Sequence, residues 1–401
     1  MQSLKKREIF MILIVAAAYN SIYSLAFMKG LYYTIMQNGL HLSHTQLGHL
    51  YSAYGLFSMV SYLCGALFLN RFKTWKLISV SSFIIGLLTL LLLNASSFPI
   101  MLLIFGIIGF LLGAAFYPAH LQMLHQIGGP LNQGSVFSLF YIFNGILGIS
   151  FNIVGFGITS ISQPDSQLVR YLFIFFAFLN IFIAIISAFM LRKLPEEESH
   201  KASVSFRSVR QLFGNFKLWL VIIIVFSNYI TFASLNYILP FLNEMFSLSP
   251  LTTNILSILR VYLLAIIAAP IAGKITDYLR SASKLLCLSF LLTAVSIVFM
   301  IISFRGHPAL TVFCMLFFCL FVHMGKSMTL ITIDEAHIPV ELYGMAISFI
   351  SFCAYSPDAF FYSLCGSILD MAPTNGYTFI FLLTVLFAII GCIASFKLRK
   401  E

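Results

Sequence analysis

Charge is the scarcest property of this sequence: Asp, Glu, Lys and Arg make up 9% of its 401 residues, against roughly 25% in an ordinary soluble domain. With 60% of its residues hydrophobic, the chain has too few polar side chains to cover a water-facing surface. Uncharged stretches of 20 or more residues recur along it, and they mark the bilayer as its solvent. Cysteine pairing is also missing: the seven cysteines, Cys64, Cys287, Cys314, Cys319, Cys353, Cys365 and Cys392, lie in or beside apolar runs, with no CxxC. They read as small core hydrophobes. No nucleotide-binding P-loop occurs, which argues against an ATP-driven pump, and no paired aspartates, Ser-His set or HExxH lies in the apolar runs, so no enzyme and no cofactor are expected. His41, His44 and His49 have no nearby carboxylate to complete a metal site. The net charge of +10 falls in short clusters between apolar runs, which excludes a nucleic-acid face and fits loops on one side of a membrane.

What is present is a long series of apolar runs. At about 1.5 Å per residue a span takes roughly 20 residues. On that rule the chain divides into twelve: 9–36, 46–69, 75–93, 98–125, 134–160, 168–191, 217–242, 250–274, 284–304, 308–332, 342–368 and 375–396. Lys5-Lys6-Arg7 before the first run resembles the start of a signal peptide, but that run is too long and too dotted with polar residues for one. Placing the N-terminus inside puts eighteen Lys and Arg residues in or beside cytoplasmic loops and only Arg170 and Arg305 outside. Both termini are therefore expected in the cytoplasm, with tails too short for a soluble domain.

A polar stretch from Arg192 to Lys217, with Pro195 and Glu196-Glu197-Glu198, bisects the chain. It reads as a cytoplasmic linker, 192–216, between an N-terminal six-helix bundle, 1–191, and a C-terminal one, 217–401. An offset of about 206–210 residues brings Leu42-Ser43 onto Leu248-Ser249, Gly65 onto Gly273 and Gly134 onto Gly344. The expected fold class is an all-α membrane protein of twelve transmembrane helices in two pseudo-symmetric six-helix bundles, built as parallel repeats.

The loop after span 8, Gly273-Lys-Ile-Thr-Asp277-Tyr-Leu-Arg280 and on to Lys284, resembles the loop signature of the major facilitator superfamily. That resemblance implies a conformational latch of Gly273, Asp277 and Arg280, whose Asp meets a helix N-terminus or an arginine. The first-half loop departs from it, with Leu69 at the acidic place and Asn70 beside it. Span 4 looks like its family counterpart in Gly106, Gly109, Gly113 and Tyr117-Pro118, but lacks the arginine common near its start. The stretch Ile338–Gly344, continuing to Asp358, resembles bacterial permeases grouped with sugar-phosphate and organic-anion transporters.

Ionisable side chains inside a bilayer cost at least ~2.5 kcal/mol each on insertion scales, so those present are functional candidates. There are four: Lys29, Arg260, Lys326 and Asp358. Three cations against one anion point to a site for negative charge. Arg260 is the candidate anchor for a carboxylate or phosphate, unless it pairs with Asp358 and only holds helices together. Lys326 and Asp358 are the other candidate pair, and Lys29 either binds solute or snorkels to the outer interface. Asp358 is the candidate proton carrier, and Pro357 beside it is expected to break the helix. Asn20, Tyr23, Tyr117 and Asn228 complete the substrate-binding candidates, with Tyr19, His120, Ser227, Asn236 and His323 as further polar lining.

Together these features predict a secondary active transporter that moves a small polar solute, anionic or zwitterionic, by alternating access with proton coupling. Export of a metabolite, siderophore or drug is the alternative, although the Gly-Pro motif usual in span 5 of drug antiporters is absent. A transporter-like solute sensor is a third reading. The expected setting is the inner membrane, as a multi-pass monomer whose partners are solute, protons and lipid.

Overall fold

The computed structural model describes residues 5–62, 64–95, 97–128, 132–161, 163–193, 214–336, 338, 343–372 and 375–400. The expected linker therefore lies largely outside the described residues, as do 339–342 of the permease-like stretch. Every regular element among the described residues is helical. By contact the chain divides into two compact units: Met1–Leu42 with His49–Lys201, and Ser43–Gly48 with Ala202–Glu401.

The first unit contains α1 (Lys6–Leu31), α2 (Tyr33–Gly39), most of α3 (His44–Tyr62), α4 (Gly65–Arg71), α5 (Thr74–Leu91), α6 (Phe98–Leu111), α7 (Tyr117–Gly128), α8 (Gln133–Thr159) and α9 (Asp165–Met190). The second contains α10 (Phe216–Ser234), α11 (Ile238–Phe246), α12 (Pro250–Ile258), α13 (Leu264–Leu279), α14 (Ala282–Ser303), α15 (Pro308–Met328), α16 (Thr332–Glu335), α17 (Tyr343–Ala354), α18 (Phe361–Met371) and α19 (Gly376–Lys400). Ten stretches of helix among the described residues are long and apolar enough to cross a membrane. The other two expected spans, 46–69 and 342–368, are each divided between two shorter helices: α3 and α4, and α17 and α18.

Local chemistry sets several starts. Asn215 accepts the Lys217 N–H at 2.9 Å to open α10, and Ser249 accepts that of Thr252 ahead of Pro250 at the start of α12. Inside the spans, hydroxyls bond back to their own helix, as Ser82 does to Ile78 and Ser234 to Ile230, which satisfies those donors without water.

In the first unit, α6 and the π-helical turn that follows it, Leu112–Phe116, lie close on α3 because Gly109 and Gly113 present no side chain. A Cβ at Gly109 would meet the Tyr54 carbonyl, one at Gly113 would lie 2.6 Å from that of Ser58, and Ser58 Oγ donates to the Gly109 carbonyl at 3.0 Å. Small residues at such crossings replace the hydrophobic drive that lipid cannot supply. Asn180 ties α9 to α1 through the Ser21 carbonyl at 2.8 Å. In the second unit, α10, α14 and α19 pack around Leu218, Val221, Ile224, Leu286 and Phe290, and Thr384 donates to Ser234 Oγ at 2.7 Å.

Candidate functional site

The second unit gathers its polar groups where a helix is broken. α17 stops at Ala354, a 3-10 turn covers Ser356–Ala359, and α18 resumes at Phe361. Pro357 has no N–H to continue the ladder, and its ring opposes the preceding turn. The break expected at this proline is present, and it holds Asp358 outside regular helix. Tyr229 on α10 donates its hydroxyl to Asp358 Oδ2 at 2.6 Å, and its ring lies 4.9 Å from that of Tyr355. Asp358 Oδ1 is buried without a hydrogen-bond partner.

Lys326 stands near this carboxylate. Its ammonium lies 3.3 Å from the centroid of the Phe232 ring, a cation–π contact from α15 to α10. The side chain is exposed, and Asp358 is the acid whose field reaches it. No ion pair within 4 Å joins the two among the described residues, so both charges stay available to a third party. Behind them Asn228 is 5% exposed, its amide packed against Gly325, where an added Cβ would lie 2.5 Å from Asn228 Nδ2.

Arg260 is placed differently from the anchor expected of it. The helix widens into a π-bulge at Leu259–Leu263, and the guanidinium donates from NH1 to the Leu235 carbonyl at 2.7 Å. Leu235 begins the 3-10 turn between α10 and α11, and its carbonyl also accepts the N–H of Ile238, so the guanidinium adds a second donor there. The side chain is 2% exposed and bonds backbone; its own carbonyl is 2.9 Å from His323 Nε2. The guanidinium braces the turn between α10 and α11.

In the first unit the candidates form an aromatic wall. Tyr19 and Tyr23 on α1 lie 4.4 Å apart by ring centroid, Tyr62 and Tyr117 meet edge to face at 5.3 Å, and the field of Tyr117 reaches Tyr23. His120 stacks on Phe116 at 5.3 Å, and its Nδ1 is buried without a hydrogen-bond partner. Asn20 is 7% exposed and joins α1 to α8 by donating to Asn144 Oδ1 at 2.6 Å. Lys29 is 8% exposed and its ammonium lies 5.0 Å from the Tyr51 ring centroid, so it does not snorkel to an interface.

The expected latch is rearranged too. Gly273 has open space around it, and Arg280 takes a left-handed conformation with φ of 52° to end the turn. The helix N-terminus beyond that turn is met by Glu335 rather than Asp277: Glu335 Oε1 accepts the N–H of Ala282 at 2.5 Å and of Ser283 at 3.3 Å. At the opposite end of the unit, Asp370 on α18 accepts the N–H groups of His44 at 3.1 Å and Thr45 at 2.8 Å. Sequence reasoning missed Tyr229, Glu335 and Asp370. An acid near a helix start is a recognisable signal only when both are adjacent in sequence, and here they lie 53 and 326 residues apart.

The sequence matches the family model described as Major Facilitator Superfamily over residues 9–362. It is 27% identical to Inner membrane protein YihN of Escherichia coli (strain K12) over 411 residues, covering 99% of this chain and 96% of that one. Among solved structures it is similar to a D-xylose-proton symporter, with a TM-score of 0.78, 12% identity and coverage of 97% and 96% of the two chains. It is likewise similar to the nucleoside transporter NupG, with a TM-score of 0.73, 13% identity and full coverage of both chains, 100% each. At these identities the structural likeness speaks for the fold alone.

Proposed function

The chain belongs to the major facilitator superfamily, and from that premise we propose that it carries a small polar organic solute, anionic or zwitterionic, by proton-coupled alternating access. The observation that supports this reading is the set of Asp358, Tyr229 and Lys326: a carboxylate with one oxygen bonded and the other buried without a partner, near an exposed lysine. Lys326 is assigned the anionic group of the solute, and Asp358 the proton. Asn228 and the tyrosine wall of Tyr23 and Tyr117 supply further contacts. Arg260, Lys29 and Asn20 are assigned to holding helices, since each is buried against its neighbours. Symport is consistent with the likeness to the D-xylose-proton symporter. An inner-membrane location follows the name of the E. coli relative. Cytoplasmic termini follow the distribution of lysine and arginine.

The test is uptake into proteoliposomes across a panel of sugar phosphates, carboxylates, amino acids and nucleosides, with and without an inward proton gradient. The expected outcome is uptake of an anionic solute that needs the gradient, is lost in Lys326→Ala, and loses its gradient dependence in Asp358→Asn. Gradient-driven uptake unchanged in a folded Asp358→Asn protein removes that residue from coupling.

A further inference from the structure

The second unit contains a pair of sulfurs that the proposed transport site does not use. Cys287 on α14 and Cys392 on α19 are free cysteines, both half-buried, and their Sγ atoms lie 3.2 Å apart. α14 and α19 pack along much of their length, so the two thiols are held face to face by helices rather than by mobile loops. A disulfide bond of about 2.05 Å would require the sulfurs to close by roughly 1.1 Å, within reach of small side-chain rotations. A cavity of about 430 Å³ is lined by both cysteines with Ile393, Phe396 and Lys397. Lys397 is exposed, so a cation stands at the place where a soluble reagent would meet the thiols.

We propose that Cys287 and Cys392 form an oxidisable dithiol whose reagent is a small disulfide bearing carboxylates, of the oxidised-glutathione class. The lysine draws such an anion to the cavity. The thiolate of one cysteine attacks the small disulfide, forming a mixed disulfide and releasing one small thiolate. The second cysteine's thiolate then attacks the protein-bound sulfur, forming the Cys287–Cys392 bond and releasing the other. The protein loses two electrons and two thiol protons, and the small disulfide is reduced to two thiols. The product ties α14 to α19 across 105 residues of sequence. In a glutathione-buffered compartment the pair stays reduced and closes when that balance turns oxidising.

The experiment treats the purified full-length protein with oxidised glutathione and maps its peptides by mass spectrometry without reduction. Expected are a cross-linked Cys287–Cys392 peptide, the loss of both free thiols, a rise in the thermal midpoint, and reversal of all three by dithiothreitol. In Cys287→Ser the attack on Cys392 has no resolving partner, so a glutathione adduct should persist on Cys392. Cys392→Ser gives the mirror result on Cys287 and guards against one variant failing to fold. A persistent adduct on wild-type protein without a cross-link overturns the proposal, as does a folded protein in which neither thiol reacts.

Discussion

Asp358, Lys326 and Arg260 have similar credentials as ionisable residues in an apolar chain, yet their surroundings separate them. Tyr229→Phe removes the hydroxyl that donates to Asp358 Oδ2. A hydrogen bond to a charged group contributes about 1.5–3 kcal/mol, so gradient-driven uptake is expected to fall about tenfold or more while the folded yield holds. Uptake at the wild-type rate would show that the contact plays no part in transport. Arg260→Ala removes a charged hydrogen bond to the Leu235 carbonyl, worth about 1.5–3 kcal/mol before any cavity is counted. Its thermal midpoint is expected to drop clearly, whereas Lys326→Ala, exposed at the start, keeps its midpoint and loses solute-induced stabilisation. The reverse pattern would restore Arg260 as the anchor. Nothing in the sequence distinguishes these residues, because each is a lone charge in an apolar run. The distinction comes from a backbone carbonyl 25 residues away and a tyrosine 129 residues away.

At the level of elements, glycine spacing and helix interruption do most of the positioning. Gly113 faces α3 so closely that a side chain must displace the Ser58 carbonyl or Ser61, and backbone cannot yield as a flexible side chain can. Gly113→Val is therefore expected to abolish most of the folded protein recovered in detergent. Gly157→Ala, where nothing lies within 4 Å, should be neutral or stabilising by up to about 1 kcal/mol, since glycine is the poorer helix former. Equal behaviour of the two variants in fluorescence-detected size exclusion would refute the packing argument. The helices themselves were legible because a span is a local property: twenty apolar residues announce it without reference to the rest of the chain. Pro357 announced its break for the same reason. The π-bulge around Arg260 carried no comparable signal, because its displaced carbonyl meets His323, 63 residues away.

For the whole molecule, two long-range features remain to be weighed. Asp370 reaches the first turn of α3 from 326 residues away. Burial opposes its charge, but hydrogen bonds from Thr45, Ser43 and His44 outweigh that and hold its pKa below the usual carboxylate value. A depressed folded-state pKa means the contact contributes fully above the unfolded value and is lost only as pH falls through the folded one. Asp370→Asn should thus lower stability by about 1 kcal/mol or less given its exposure, seen as a slightly lower thermal midpoint. The gap to wild type should stay constant from neutral to mildly acidic pH and narrow only in strong acid; a gap that closes under mild acid would mean the carboxylate is not held charged. The second feature is orientation, which rests on the whole distribution of Lys and Arg rather than on any contact: eighteen fall on one side and two on the other. Each cation retained in the cytoplasm adds to the bias, and no single loop dominates it, so neutralising one cluster should leave the topology intact. Alkaline phosphatase fused after Lys400 should be inactive and a fluorescent protein there bright. Fusions in the loop holding Arg305 should show the opposite, and the pattern should survive Lys5, Lys6 and Arg7 all changed to Gln. An active phosphatase at the C-terminus would invert the protein and, with it, the side from which Lys397 and the Cys287–Cys392 pair are approached.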